Sequence, residues 1–226
     1  MLDILFRDEH LIAINKPHDL LVHRSSIAAD AEEFALQLLR DQIGQKVYPV
    51  HRIDRKTGGV LLFAFSKPIE IEMQKQFADN LVSKKYLAIL RGHTPDGGDI
   101  DYALRKENGT LQDAFTTYHT LKRAELDVPL GKHTTSRYSL VEAMPETGRM
   151  HQLRKHFAHI FHPIIGDRTH GCNKQNKLFT EKWEMNTMLL HASSLTFNHP
   201  VSNETICIEA SLHPEFIRMM KLMGWN

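Results

Sequence analysis

The chain has little cysteine, almost no excess charge and no long apolar run. Its 226 residues include only two cysteines, Cys172 and Cys207. They lie far apart and outside any Cys-x-x-Cys pair, which excludes a cysteine-built zinc or iron–sulfur site. Lysine and arginine number 28 against 27 acids, a formal net charge of +1, so any grip on a polyanion must come from local patches. No stretch approaches the roughly 20 apolar residues of a membrane span. Asp3, Arg7 and Asp8 place charge where a signal peptide needs an unbroken apolar core. These absences lead us to expect a cytoplasmic protein with reduced thiols and no membrane partner. Gly-x-x-x-x-Gly-Lys-Ser/Thr, Gly-x-Gly-x-x-Gly after a strand and Gly-x-Ser-x-Gly are all missing, which removes support for nucleotide cofactors and for a serine hydrolase elbow.

Histidine is abundant, at 15 residues. His156, His159 and His162 are spaced by three, with Asp167 and His170 following, but the helical His-Glu-x-x-His zinc pattern does not occur. No metal and no cofactor is therefore expected. Hydrophobic content of 42% and charged content of 24% are those of a globular chain with a sizeable core. We find no internal repeat, low-complexity tract or clear linker, and expect residues 1–226 to form a single domain.

The most informative stretch is His51-Arg52-Ile53-Asp54-Arg55-Lys56-Thr57-Gly58-Gly59, between the apolar runs Val47–Val50 and Val60–Phe65. Both runs read as buried strands. Asp54 lies between Arg52 and Arg55, and opposite charges this close favour the ionised carboxylate. An ionised acid in a cationic loop at a strand end suits a nucleophile or base acting on a polyanion; a charged surface turn has the same pattern. The glycines allow a tight turn or a close approach.

The rest reads as support. Leu2–Phe6 and Leu11–Ile14 form a hairpin, and Leu20–His23 an extended segment. Helices are expected from Asp30 to about Ile43, from Ser66 through Phe77 and from about Pro214 to Met223. Strands are expected at Lys84–Arg91, Phe115–Leu121, Ser136–Ala143, Met188–Leu195 and Thr205–Ile208. Pro95–Asp101 reads as a turn, Lys106–Gln112 as an exposed loop, and the stretch after Asp167 as a polar loop. Tyr86 shares a strand face with Ala88 and Leu90, at the basic end marked by Lys84. In Thr147–His159, Met150, Leu153, Phe157 and Ile160 recur at helical spacing, with His151, Arg154 and Lys155 along an adjoining positive strip after Arg149. Strands outnumber helices and rarely alternate with them. The fold expected is α+β, a mixed, largely antiparallel sheet with flanking helices.

His51-Arg52-Ile53-Asp54-x-x-Thr57-x-Gly59 resembles the catalytic motif of the RluA-type pseudouridine synthases, usually written His-Arg-Leu-Asp-x-x-Thr-Ser-Gly. Lys84-x-Tyr86-x-Ala88 resembles that family's tyrosine motif. Thr147-Gly148-Arg149-x-His151-Gln152-Leu153-Arg154-x-His156, with His162-Pro163-Ile164-x-Gly166-Asp167, is similar to its arginine motif. Leu189-Leu190-His191-Ala192 resembles its late strand, and Asn15-Lys16-Pro17 with Val22-His23 its opening. The departures are Ile53 for leucine, Gly58 for serine, and His18-Asp19 where the family usually has Ser-Gly. Asp41–Gln45 and Thr134–Tyr138 resemble a tRNA-modifying branch whose target is uridine 65 of the T stem; ribosomal RNA is the alternative substrate within the family. The resemblance implies the pseudouridine synthase catalytic fold without a separate N-terminal RNA-binding domain, and isomerisation of a flipped-out uridine. It implies that Asp54 attacks ribose C1′ or assists departure of the uracil, that Arg154 pairs with Asp54, and that Tyr86 stacks on the base. Arg52, Arg55, Lys84, Arg149, His151 and Lys155 then contact RNA, with no obligate protein partner. The rivals are a non-catalytic RNA-binding module, in which Asp54 is structural, and metal-dependent hydrolysis.

Overall fold

The computed structural model describes residues 1–23 and 33–225. In chain order the elements are β1 (Asp3–Arg7), β2 (Leu11–Lys16), α1 (Ala35–Ile43), β3 (Tyr48–Pro49), β4 (Gly58–Ala64), α2 (Lys67–Ala78), β5 (Ser83–Arg91) and β6 (Gly97–Asp101). Then come β7 (Leu104–Arg105), β8 (Leu111–Gln112), β9 (Phe115–Leu126), β10 (Ser136–Pro145), α3 (Gln152–His159), α4 (Asn173–Trp183), β11 (Leu190–Asn198), β12 (Thr205–Glu209) and α5 (Pro214–Leu222). The chain divides into two compact units, one of residues 1–84 and 192–211, the other of residues 85–191 and 212–226.

In the first unit the strand order is β1-β2-β4-β11-β12, with β3 beside β4. The pairs β1–β2, β2–β4, β3–β4 and β11–β12 are antiparallel. Every residue of β4 is buried, because its alternating side chains enter two different clusters, as a strand covered on both faces requires. Val60, Leu62 and Ala64 pack with Leu11, Met73 of α2 and Phe197, while Leu61 and Phe63 pack with Ile12, Ile14 and Leu39 of α1. Each such leucine or phenylalanine contributes about 1.5–3 kcal/mol by leaving water. Asp30, expected as the cap of α1, lies outside the described residues. The first-turn amides of Ala35 and Leu36 are satisfied by the carbonyls of Leu21 and Val22 at 2.8 and 3.0 Å, so backbone does the work of a capping side chain. The helix ends where expected, on Gly44 at φ 65°, a left-handed position that glycine takes without strain.

In the second unit the order is β5-β10-β9-β6, all antiparallel, with a separate β7–β8 hairpin. Ala88 and Leu90 of β5 pack with Leu153 and Phe157 of α3, and Tyr86 joins them, as the shared strand face anticipates. Ile89 points the other way, into a cluster with Tyr138, Phe179 of α4 and Phe216 and Met219 of α5. The α+β reading of a sheet with helices against its faces holds. Four more local readings do not hold in full. The Pro95–Asp101 turn contains β6, an edge strand on β9; its Gly97-Gly98-Asp99-Ile100-Asp101 sequence has one apolar residue, so the pattern is set by the partner strand. The polar loop after Asp167 contains α4, whose sequence is mostly polar. That helix is held by the buried Phe179 and by Gln175, whose Oε1 accepts from the Tyr138 hydroxyl at 2.9 Å. Leu20–His23 forms only a single bridge from Leu21 to Phe34, and the Lys106–Gln112 loop ends in β8.

Candidate active site

The His51–Gly59 loop lies in the first unit and leads into β4. Asp54, partly buried, is the first residue of a β-turn closed by the Thr57 amide, which donates to the Asp54 carbonyl at 3.0 Å; aspartate is favoured at that position. The loop is anchored on both sides of this turn. Upstream, the Leu62 amide donates to His51 Nε2 at 3.1 Å, and the imidazole stacks on Phe77 at 4.7 Å between centroids. Burial, and then the nearby Lys84 ammonium, pull the His51 pKa down to about 3. The ring is therefore neutral, with Nδ1 carrying the proton. Downstream, Gly59 sits at φ 108°, and a Cβ there would lie 2.1 Å from the carbonyl oxygen of Ala192. The glycine thus serves a backbone-to-backbone approach, where the sequence left a turn or a ligand as the options.

Beneath the turn is a residue that the sequence placed in the opening motif without a role. Lys16, at the end of β2, is fully buried, and its Nζ donates to the carbonyls of Pro17, Leu20 and Arg55 at 2.8, 2.8 and 3.1 Å. Burial pulls its pKa down to about 7, against Asp19 and Asp54, which raise it. Asp19 and His18 also reach the turn. The Lys56 ammonium lies 2.5 Å from Asp19 Oδ1, Arg55 Nε donates to the Asp19 carbonyl at 3.0 Å, and His18 Nδ1 lies 2.7 Å from the Lys56 carbonyl. Arg52 is exposed.

Tyr86, Arg149, His151, Arg154 and Lys155 belong to the second unit. Tyr86, partly buried, stands opposite Ala143 in the β5–β10 ladder. The arginine motif is shaped by Gln152, a member of that motif to which the sequence assigned no role. Its Oε1 accepts from the Thr147 hydroxyl at 2.6 Å and the Arg149 amide at 3.0 Å, and its Nε2 donates to the Phe115 carbonyl at 2.9 Å. The helix starts later than the apolar spacing implies, so Met150 lies outside it and is 48% exposed. His151 precedes it in a left-handed conformation, φ 56°, its Nδ1 3.0 Å from His170 Nε2.

Arg154 is buried, and its Nε and one terminal nitrogen donate to the two oxygens of Asp167, each at 2.8 Å. This is the bidentate fork that gives arginine its geometric specificity. Burial pushes the Asp167 carboxyl up, but the Arg154 fork and the amides of His170 and Thr169 outweigh it and hold its pKa below the ordinary value. Asp167 was legible as part of the longer motif and of the histidine-rich run, but not as the partner of Arg154. Arg149 Nε donates to the Asp113 carbonyl at 3.0 Å, and Lys155 is partly buried. The histidines of the metal reading each engage protein groups. His156 reaches Thr116 and the Tyr102 carbonyl, His159 stacks on Tyr102, and His162 reaches the Arg91 carbonyl. Among the described residues no helix is long and apolar enough to cross a membrane.

An acid held at the head of a turn in a cationic loop, on an α+β framework, is the arrangement the opening motif anticipates. Residues 10–159 match the family of RNA pseudouridylate synthases, and the chain belongs to that family, whose members are isomerases. Curated relatives named tRNA pseudouridine synthase C are 43% identical in Vibrio cholerae and 45% identical in Haemophilus ducreyi, each alignment covering 100% of this chain and 97% of the relative. Among solved structures, human RNA pseudouridylate synthase domain containing 1 superposes with a TM-score of 0.75 at 21% identity, over 100% of this chain and 96% of that one. Human RNA pseudouridylate synthase domain containing 4 gives 0.74 at 25% identity, over 98% and 93%.

Proposed function

We propose that the protein converts a specific uridine of tRNA to pseudouridine, both units together forming one catalytic domain, and that the target is uridine 65 of the T stem. The tRNA substrate is supported by the names of relatives that align over the whole chain, and the position by the branch segments Asp41–Gln45 and Thr134–Tyr138. The reaction is balanced within the nucleoside. The N1–C1′ bond breaks, the uracil turns, a C5–C1′ bond forms, and the C5 proton is lost while N1 gains one. Asp54 either attacks C1′ or assists departure of the base, Tyr86 stacks on the uracil and handles the C5 proton, and Arg154 supplies positive charge for the ionised acid. A stem uridine must first be extruded, at a few kcal/mol of unstacking; Arg52 takes the vacated place or holds the displaced strand. Lys84, Arg149, His151 and Lys155 contribute phosphate contacts.

The observation that carries this reading is the setting of Asp54, at the head of a hydrogen-bonded turn whose flanks are anchored by His51 and Gly59. Because the reaction replaces C5–H by C5–C1′, tritium at uridine C5 is released to water on turnover. Wild type should release it from tRNA and Asp54→Asn should not, by at least three orders of magnitude, with tRNA affinity and unfolding midpoint nearly unchanged. An active Asp54→Asn would remove the acid from the chemistry. Release from ribosomal RNA alone would shift the substrate.

A further inference from the structure

The position of Asp19 is costly for the residue it holds. Its φ is 65°, a left-handed conformation that glycine adopts freely and a side chain does not, and the family pattern usually has glycine there. Aspartate is offset at this site by what it reaches. Its carboxylate meets Lys56 at 2.5 Å and stands 4.0 Å from Arg55 Nε, while its carbonyl accepts from that Nε at 3.0 Å. Next to it His18 Nδ1 is 2.7 Å from the Lys56 carbonyl, and since a carbonyl only accepts, Nδ1 is the donor. With Lys16 on the Arg55 carbonyl, both central residues of the Asp54 turn are held at their carbonyls and at their side chains.

We propose that His18 and Asp19 are positioning residues that clasp this turn and fix the direction of Asp54, making Arg55 and Lys56 internal ties. Arg55 is then not the RNA contact that its place in the motif implies, and Arg52 is the loop cation left to RNA. The Asp19–Lys56 pair is about half exposed, and pairs of that kind add little to stability. Its effect belongs to the rate, since a displacement of about 1 Å at a reacting group can cost roughly 100-fold.

The proposal rests on Asp54 being the reacting group, so the test has two readouts. The first is single-turnover tritium release by Asp19→Asn, Lys56→Met and the double variant; asparagine tolerates the left-handed conformation and removes only the charge. Each single variant should slow release about tenfold or more at saturating enzyme, with RNA affinity and its salt dependence unchanged, and the double variant should be no slower than the slower single. Rates within twofold of wild type would overturn the clasp. So would a Lys56→Met that binds RNA more weakly with a salt slope lower by about one, which marks a phosphate contact. The second readout is hydrogen exchange at the Thr57 amide, which closes the turn. Asp19→Asn should speed it about tenfold or more, and unchanged exchange would overturn the clasp. A wild type that releases no tritium from any RNA would defeat the functional reading, and the exchange result would still decide the clasp.

Discussion

Replacing Lys16 with methionine keeps a long, unbranched side chain in the same buried space and deletes one ammonium. In the folded protein the lysine pKa is about 7 against an ordinary 10.5. Between those values the unfolded chain binds a proton that the folded chain has released, so stability rises with pH across the interval. The burial penalty is fully present below pH 7 and is gone above about 10.5. At about 1.4 kcal/mol per pKa unit, the 3.5-unit difference amounts to about 5 kcal/mol overall, and to about 2 kcal/mol between pH 7 and pH 9. Methionine carries no such dependence. Urea unfolding of both proteins at pH 7, 8 and 9 should therefore show wild type gaining about 2 kcal/mol on Lys16→Met over that range, the other titrating groups cancelling in the difference. Stability curves that stay parallel within about 0.5 kcal/mol would refute the account. They would mean that the three carbonyls at 2.8, 2.8 and 3.1 Å, which match the three N–H bonds of an ammonium, keep Lys16 charged throughout.

Two further substitutions follow from the geometry. Asp167→Asn removes the carboxylate that holds the buried Arg154 in a fork, and breaking a buried pair costs about 3–5 kcal/mol; chemical unfolding should show a loss of that size, and one below about 1 kcal/mol would mean that the fork is not what holds the arginine. Gly59→Ala puts a methyl 2.1 Å from the Ala192 oxygen at φ 108°, whereas Gly44→Ala meets nothing within 4 Å at φ 65°. The first should lose several kcal/mol or fail to accumulate folded, the second only about 1 kcal/mol, and comparable losses in the unfolding assay would discount the close approach.

Much of the fold is local enough to read from residues. Strand β4 and helix α2 follow from an apolar run and from Ser66 ahead of Pro68, and α1 stops on Gly44 as its sequence indicates. Strand β6 does not follow, because two glycines and two acids carry no strand pattern and the ladder to β9 supplies it. Helix α4 was lost for a similar reason, since much of its hold on the core is one phenylalanine and one hydrogen-bonded glutamine. At the candidate site, Asp54, Tyr86 and Arg154 were visible through motif spacing. Their supports were less so. Lys16 is visible as part of the Asn15-Lys16-Pro17 opening but its burial is not, and neither the Asp19 conformation nor the Asp167 fork has any expression in spacing.

The contact between Gly59 and Ala192 has a consequence for synthesis. The first unit is made of residues 1–84 and 192–211, so β4, the strand that follows the Asp54 turn, lacks its neighbour β11 until the intervening residues 85–191 have left the ribosome. A nascent chain carrying the complete motif has the ties from Lys16, His18 and Asp19 but not yet the backbone that meets Gly59. Translation products that end before Ala192 would hold Asp54 without the strand that meets Gly59, so the loop and its backing are joined only after the long segment of the second unit has been made.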